Sequence, residues 1–78
     1  MPALRPDPAV VIGARIRARR EELGLSLEKA AGPCRVHWSA LGAIERGTRN
    51  PSVLTLLRIA AGLDIDPARF VEGVRPKP

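Results

Sequence analysis

Residues Ser26–Gly47 read SLEKAAGPCRVHWSALGAIERG, two short amphipathic segments, Ser26–Ala31 and His37–Arg46, separated by a break around Gly32-Pro33. Ser26 opens the first segment with a hydroxyl suited to the free backbone N–H groups of a helix start. In the second, Leu41 and Ile44 lie three apart with Val36 just ahead, so one side is apolar. The opposite face carries His37, Trp38, Ser39, Gly42, Ala43 and Arg46. A tryptophan among small residues and arginine is an unusual composition for a face that meets only water. Two short helices with a tight connection, the second showing such a face, constitute a helix-turn-helix motif.

The flanking sequence extends the helical pattern in both directions. Asp7-Pro8 is a start signal, a capping carboxylate followed by proline at the first helical position. Helix 1 is predicted from Pro8 to Leu23, stopping at Gly24, with Ile12, Ile16 and Leu23 facing the core. Leu25 plugs the corner before Ser26. Beyond the motif, Gly47-Thr48-Arg49-Asn50-Pro51 is rich in turn formers, and Ser52 caps a fourth helix from Val53 to about Ala61. Val53, Leu54, Leu56, Leu57, Ile59, Ala60 and Ala61 are apolar nearly all round, which predicts a central helix buried on more than one side. Gly62 ends it, Leu63 and Ile65 anchor the connection, and Asp66-Pro67 repeats the start signal for a short helix from Pro67 to Glu72. With no strand-like alternation and no internal repeat, the pattern predicts an all-α fold of five helices over residues 8–73. Residues 1–7 are expected to form a disordered arm and residues 74–78 a flexible tail.

Seventy-eight residues make a single small domain, whose modest core places weight on compact helix packing or dimerisation. One cysteine, Cys34, excludes an internal disulfide and suits a reducing compartment. No apolar run approaches the roughly 20 residues of a membrane span, and MPALRPDPAV has no signal-peptide hydrophobic region. These features predict a soluble, cytoplasmic protein. Thirteen Lys and Arg against eight Asp and Glu give a net charge of +5, a balance that favours polyanionic partners. No nucleophile–base pair and no glycine-rich phosphate loop is present, so an enzyme is not expected. His37 has no metal-ligand partner at suitable spacing, because Cys34 is the sole cysteine and there is no second histidine. No metal or cofactor is expected.

Three runs, IGARIRARREELGLSLEKAA, ALGAIERGTRNPSVLTLLRIAAGLDI and DPARFVEG, resemble the lambda-repressor/Cro-like, or XRE-type, helix-turn-helix regulators of bacteria and phage. The resemblance spans Ile12–Gly73 in order, and the IERG…RNPS…TLL run is its most specific part. Within that family the loop after the second motif helix looks particularly like that of restriction-modification controller proteins; small prophage repressors and antitoxins also fit. The resemblance implies a compact five-helix lambda-repressor-like domain that binds double-stranded DNA through helix 3, usually as a homodimer on a palindromic operator. Three positions depart from the family pattern. Leu27 stands where glutamine is usual, Arg35 stands where glycine is usual, and Pro33 lies where helix 2 would continue. Because proline disfavours helix at the residue before it, helix 2 is expected to end near Ala31.

Carried over residue by residue, the resemblance implies DNA contact by Ser26, Arg35, His37, Trp38, Ser39, Gly42, Ala43, Arg46, Arg49 and Asn50. Trp38 takes a position usually held by a polar base reader. It either lies along the major groove or folds back over Val36 and helix 2. Ser39, Gly42 and Ala43 match groove-facing positions, but none makes a bidentate base contact, so specificity leans on DNA shape and edge arginines. Arg46, Arg49 and Asn50 match a loop that lies along the phosphate backbone. Arg20 and Glu45 match a structural salt bridge between helix 1 and the end of helix 3. The expected dimer surface is Val71 and Val74 with Leu63 at its edge, Phe70 and Ile65 filling the monomer's own core. The leading function is thus a homodimeric, sequence-specific transcriptional regulator. The competing one is an antitoxin-like or adaptor module whose partner is another protein.

Overall fold

The computed structural model describes residues 7–77, which contain five helices and no strand. They are α1 (Pro8–Glu22), α2 (Leu27–Cys34), α3 (Trp38–Glu45), α4 (Val53–Gly62) and α5 (Ala68–Val71). The arm expected over residues 1–7 lies outside the described residues apart from Asp7. That residue caps α1, its Oδ1 accepting from the Ala9 amide at 2.9 Å, and the same bond holds the Asp7 carboxyl below its ordinary range. Lys77 approaches Asp7 at 3.4 Å. Ser26 and Ser52 cap α2 and α4 in the expected way, accepting from the Lys29 and Thr55 amides at 3.2 and 3.0 Å. Asp66 accepts from the Ala68 amide at 2.9 Å and so starts α5.

The core is one cluster drawn from every helix: Ile16, Ala30, Cys34, Leu41, Ile44, Ile59, Ala60, Leu63 and Phe70. α3 packs on α1 and α2, α2 packs on α4, and α5 packs back on α1. Two glycines set the closeness of these contacts. A Cβ at Gly13 would collide with the carbonyl oxygens of Ile44 and Glu45, so α1 lies directly on the end of α3. A Cβ at Gly62 would lie 2.5 Å from the Cys34 nitrogen, so the end of α4 lies against the end of α2.

Four expectations are corrected. First, α2 does not stop near Ala31; it runs through Pro33 to Cys34. The residue before the proline is Gly32, which has no Cβ to clash with the pyrrolidine ring, so the usual penalty on a helical conformation there is weakened. The break comes instead at Arg35, which is left-handed at φ 56°, with Val36 N–H donating to Ala31 C=O at 3.2 Å. Second, α4 is not buried on several sides. Ile59 and Ala60 are buried and Leu56 packs on the core, but Val53, Leu54 and Leu57 are 77%, 56% and 47% exposed. α4, apolar on most sides, buries only the face that meets α2 and the core. Third, Leu23 is exposed rather than core-facing, because it follows the last turn of α1. Fourth, Leu63 is not at a surface edge; it is 0% exposed, locked in the core by the turn that closes α4.

Candidate nucleic-acid interface

α3 packs on α1 and α2 along one side and leaves the other side open. Its inner face buries Leu41, Ile44 and Glu45, while Trp38, Ser39 and Arg46 are exposed on the outside. Trp38 is 49% exposed and its ring is tilted against that of His37, centroids 5.8 Å apart. His37 is the N-cap of α3. Its Nδ1 accepts from the Ser39 amide at 3.2 Å and lies 2.7 Å from Ser39 Oγ. Histidine is not among the residues whose type signals a cap, so the sequence carried no pointer to this role. The cap fixes the first turn of α3 and, with it, the direction of Ser39.

Gly42, expected to face a groove, is buried. A Cβ there would meet the Arg46 guanidinium at 3.1 Å and Leu27 at 3.5 Å. Its smallness lets Leu27 of α2 and the Arg46 side chain close over the middle of α3. Ala43 is half-buried, and Ser26 is exposed with its hydroxyl engaged in the α2 cap. Of the residues assigned to the interface, Arg35, His37, Trp38, Ser39, Arg46, Arg49 and Asn50 are exposed on or beside α3. Val71 is exposed and Val74 half-buried at the C-terminal side.

The far end of α3 is fixed by Arg20. Its Nε and Nη2 donate to the two Glu45 carboxylate oxygens at 2.7 and 2.9 Å, and its Nη1 donates to Leu25 C=O at 2.8 Å. Glu45 is 8% exposed, so the bidentate pair works largely away from water. The hydrogen bond to Glu45 raises the Arg20 pKa further, against the opposing effect of burial. One guanidinium thereby ties together α1, the corner before α2 and the last turn of α3. Beyond that turn, the Thr48 amide and hydroxyl both donate to Ala43 C=O at 3.1 Å, shaping the loop that carries Arg49 and Asn50.

The arginines fall into a paired set and an unpaired set. On α1 and α5 the arginines are committed: Arg15 to the carbonyls of Phe70 and Glu72, Arg19 to those of Leu63 and Asp64, and Arg17 and Arg69 to Glu21 and Glu72. The depression between them, about 700 Å³, is lined by both signs of charge. Around α3 the pattern reverses. Among the described residues, Arg35, Arg46, Arg49 and Arg58 form no ion pair. Two depressions flank the helix. One of about 530 Å³ reaches Ser39, Ala40 and Ile44 and is lined by Arg35, His37, Arg49 and Arg58, with no carboxylate. The other, about 290 Å³, reaches Gly42, Glu45 and Arg46 and includes Arg17 and Leu27. Arg58, in the middle of α4, was absent from the sequence-based assignment because a lone arginine in an apolar helix reads as a solvated position.

A short helix with one open face between two depressions lined by arginines has the form of a groove reader flanked by phosphate contacts. The family model of a helix-turn-helix domain matches residues 11–72. The HTH-type transcriptional regulator DdrOP3 of Deinococcus deserti is 38% identical over 60 residues, 77% of this chain and 46% of that protein. The chain therefore spans about half the length of that curated relative. The restriction-modification controller protein C.AhdI of Aeromonas hydrophila has a solved structure matching at a TM-score of 0.77 and 39% identity, over 80% of this chain and 94% of that one. SinR, described as the master regulator for biofilm formation and solved in complex with DNA, matches at 0.74 and 37% identity, over 78% and 98%. With its five helices, its left-handed turn before α3 and this breadth of similarity, the chain belongs to the lambda-repressor-like, XRE-type helix-turn-helix family of transcription regulators.

Proposed function

We propose that this chain binds double-stranded DNA sequence-specifically, with α3 in the major groove, as a homodimer on a two-fold symmetric operator. The observation that supports this best is the separation of its arginines: those of α1 and α5 are paired, while Arg35, Arg46, Arg49 and Arg58 stand unpaired on the flanks of α3. Unpaired cations on both flanks suit the two phosphate backbones that border a major groove. Trp38 and Ser39 then face the bases at the start of α3, Trp38 toward thymine methyls and Ser39 toward either base edges or phosphate. SinR, a relative of similar structure, was solved bound to DNA.

A single α3 reads only a half-site, so two copies are needed about 34 Å apart, one turn of B-DNA. Leu63 is in the core and contributes nothing to such a contact. The surface we assign to the second copy is the exposed stripe of Val53, Leu54 and Leu57 on α4. It begins one residue after Ser52, which lines the Arg49/Arg58 depression, and a two-fold contact there would be isologous. Val71, exposed, and Val74, half-buried, lie on the C-terminal side as further candidate apolar contacts.

The test is fluorescence anisotropy on a random duplex at two salt concentrations, with sedimentation near micromolar concentration on the native chain and on Leu54→Glu. Binding that weakens steeply with salt, together with a dimer that Leu54→Glu converts to monomer, is the expected result. No duplex binding at low salt would overturn the DNA reading and leave the exposed α4 stripe to a partner protein. A monomer that still bound its operator tightly would remove the homodimer alone.

A further inference from the structure

A serine hydroxyl can both donate and accept a hydrogen bond, but at the start of α3 the preceding histidine removes that freedom from Ser39. His37 Nδ1 faces two groups of the same residue, the Ser39 amide at 3.2 Å and Ser39 Oγ at 2.7 Å. The amide can only donate, so Nδ1 carries the lone pair and the proton of the neutral ring sits on Nε2. A proton on Nδ1 would meet the amide hydrogen and leave the first turn of α3 uncapped. The 2.7 Å contact is then a bond in which the hydroxyl donates to Nδ1. With its one proton directed to the ring, Ser39 Oγ keeps only lone pairs for a partner outside. The charged groups that share the depression with His37 and Ser39 are Arg35 from the turn, Arg49 from the loop and Arg58 from α4. No carboxylate lies among them, so none competes with Nδ1 for the Ser39 proton.

We infer that His37 is a positioning residue that makes Ser39 an acceptor-only reader, selecting at one position of each half-site a base that presents an amino group in the major groove. This rests on the DNA reading above and narrows it. Adenine N6 and cytosine N4 donate in that groove, whereas guanine and thymine offer acceptors. Phosphate oxygens are acceptors too, so a Ser39 whose proton is held by His37 reads a base and not the backbone. The same geometry makes the reading depend on pH. Histidine is the side chain that ordinarily changes charge between about pH 5 and 8, and imidazolium carries a hydrogen on both nitrogens. Nδ1 then donates to Ser39 Oγ, and the hydroxyl proton turns outward as a donor. Guanine O6 and N7 and thymine O4 accept from such a donor, so the preferred base exchanges.

The experiment is selection from a library of randomised duplexes, with relative affinities of single-base variants measured by competition anisotropy. The proteins are the native chain, Ser39→Ala, His37→Ala and His37→Asp, each at about pH 8 and about pH 5.5, with circular dichroism reporting the folded chain. At the higher pH the native chain is expected to favour adenine or cytosine at one position by about threefold to tenfold, the worth of one hydrogen bond, and Ser39→Ala to lose that preference alone. His37→Ala lets the hydroxyl turn freely, so the preference falls to about twofold or less. His37→Asp supplies an acceptor that carries no proton at either pH, so it keeps the preference at both while its charge weakens binding to every duplex alike. In the native chain the preference is lost, or passes to guanine or thymine, at the lower pH. Loss of the α3 cap by itself would weaken all sequences and would not exchange one base for another. A selection with no Ser39-dependent position, a Ser39-dependent preference for guanine or thymine at the higher pH, or a native preference unmoved by pH would each overturn the inference and spare the DNA reading. If the native chain unfolds at the lower pH, the two His37 variants at the higher pH decide alone, and equal base preferences in them refute the role of His37. A native chain that enriches no duplex refutes both readings together.

Discussion

The Arg20–Glu45 pair makes the sharpest stability prediction, because its geometry ranks the two single substitutions as well as their coupling. The side chains are 12% and 5% exposed, and the pair is bidentate with a third bond from Arg20 to Leu25 C=O. Arg20→Ala leaves the Glu45 carboxylate almost fully buried with no donor and also frees the Leu25 carbonyl. Glu45→Ala leaves a guanidinium that keeps its bond to Leu25 and can turn toward water. Removing one partner of a buried pair costs about 3–5 kcal/mol, so Arg20→Ala belongs at the upper end and Glu45→Ala at the lower. In the double substitution no charge is stranded, and the loss falls short of the sum by a coupling of about 1–3 kcal/mol. Urea unfolding followed by circular dichroism at neutral pH measures all four corners of the cycle. Glu45→Gln serves as a variant that keeps the packing if either alanine substitution leaves too little folded protein. Additivity within about 0.5 kcal/mol, or a greater loss for Glu45→Ala than for Arg20→Ala, would refute this account of the pair.

Three further predictions test how α3 is held. Gly13→Ala improves intrinsic helix propensity by about 1 kcal/mol yet must push α1 away from the Ile44 and Glu45 carbonyls, so a net loss of about 1–3 kcal/mol is expected; a raised Tm would show that the contact is looser than described. His37→Ala removes the α3 cap at a cost of about 1 kcal/mol, and His37→Asp restores the stability by supplying an equivalent acceptor; equal Tm values for the two variants would contradict the cap. Burial, with the nearby Glu45 charge as a lesser cause, pushes the Cys34 thiol pKa up, so less thiolate forms at any given pH. A disulfide reagent at mildly alkaline pH should therefore label Cys34 only as fast as the domain opens, with the rate climbing in urea; labelling as fast as a small free thiol would place Cys34 at the surface.

The helix starts were the most legible feature of the sequence because their signals are local. Asp7, Ser26, Ser52 and Asp66 each act through a side-chain oxygen and an amide two or three residues on, and each forms the bond its type suggests. The Ile16, Leu41 and Ile44 side of the core followed from helical spacing in the same way. Burial of a whole helix face is a tertiary fact, and there the reading failed. The polar residues of α4, Thr55 and Arg58, mark only one narrow strip, which did not separate Leu56, which packs on the core, from Leu57, which is exposed. Leu63 was misassigned for the related reason that a leucine after a helix-ending glycine looks the same whether it caps a core or edges a surface.

The interface shows why charge was legible as a total and not as a map. A surplus of arginine predicts a polyanionic partner, but it does not tell which arginines are spent on the fold. Arg15 and Arg19 lie among the charges of α1 and serve to hold the carbonyls of the C-terminal segment, which fixes α5 onto α1. Arg58 lies in an apolar helix and is drawn to the interface only because α4 starts beside the loop that follows α3. The same chemistry, a guanidinium on a helix, is thus structural on one side and available for a ligand on the other. What distinguishes them is whether a carbonyl or carboxylate lies within reach, and that is decided by packing: α5 folds back on α1, and the Phe70, Glu72, Leu63 and Asp64 carbonyls come to Arg15 and Arg19, whereas among the described residues Arg35, Arg49 and Arg58 form no ion pair.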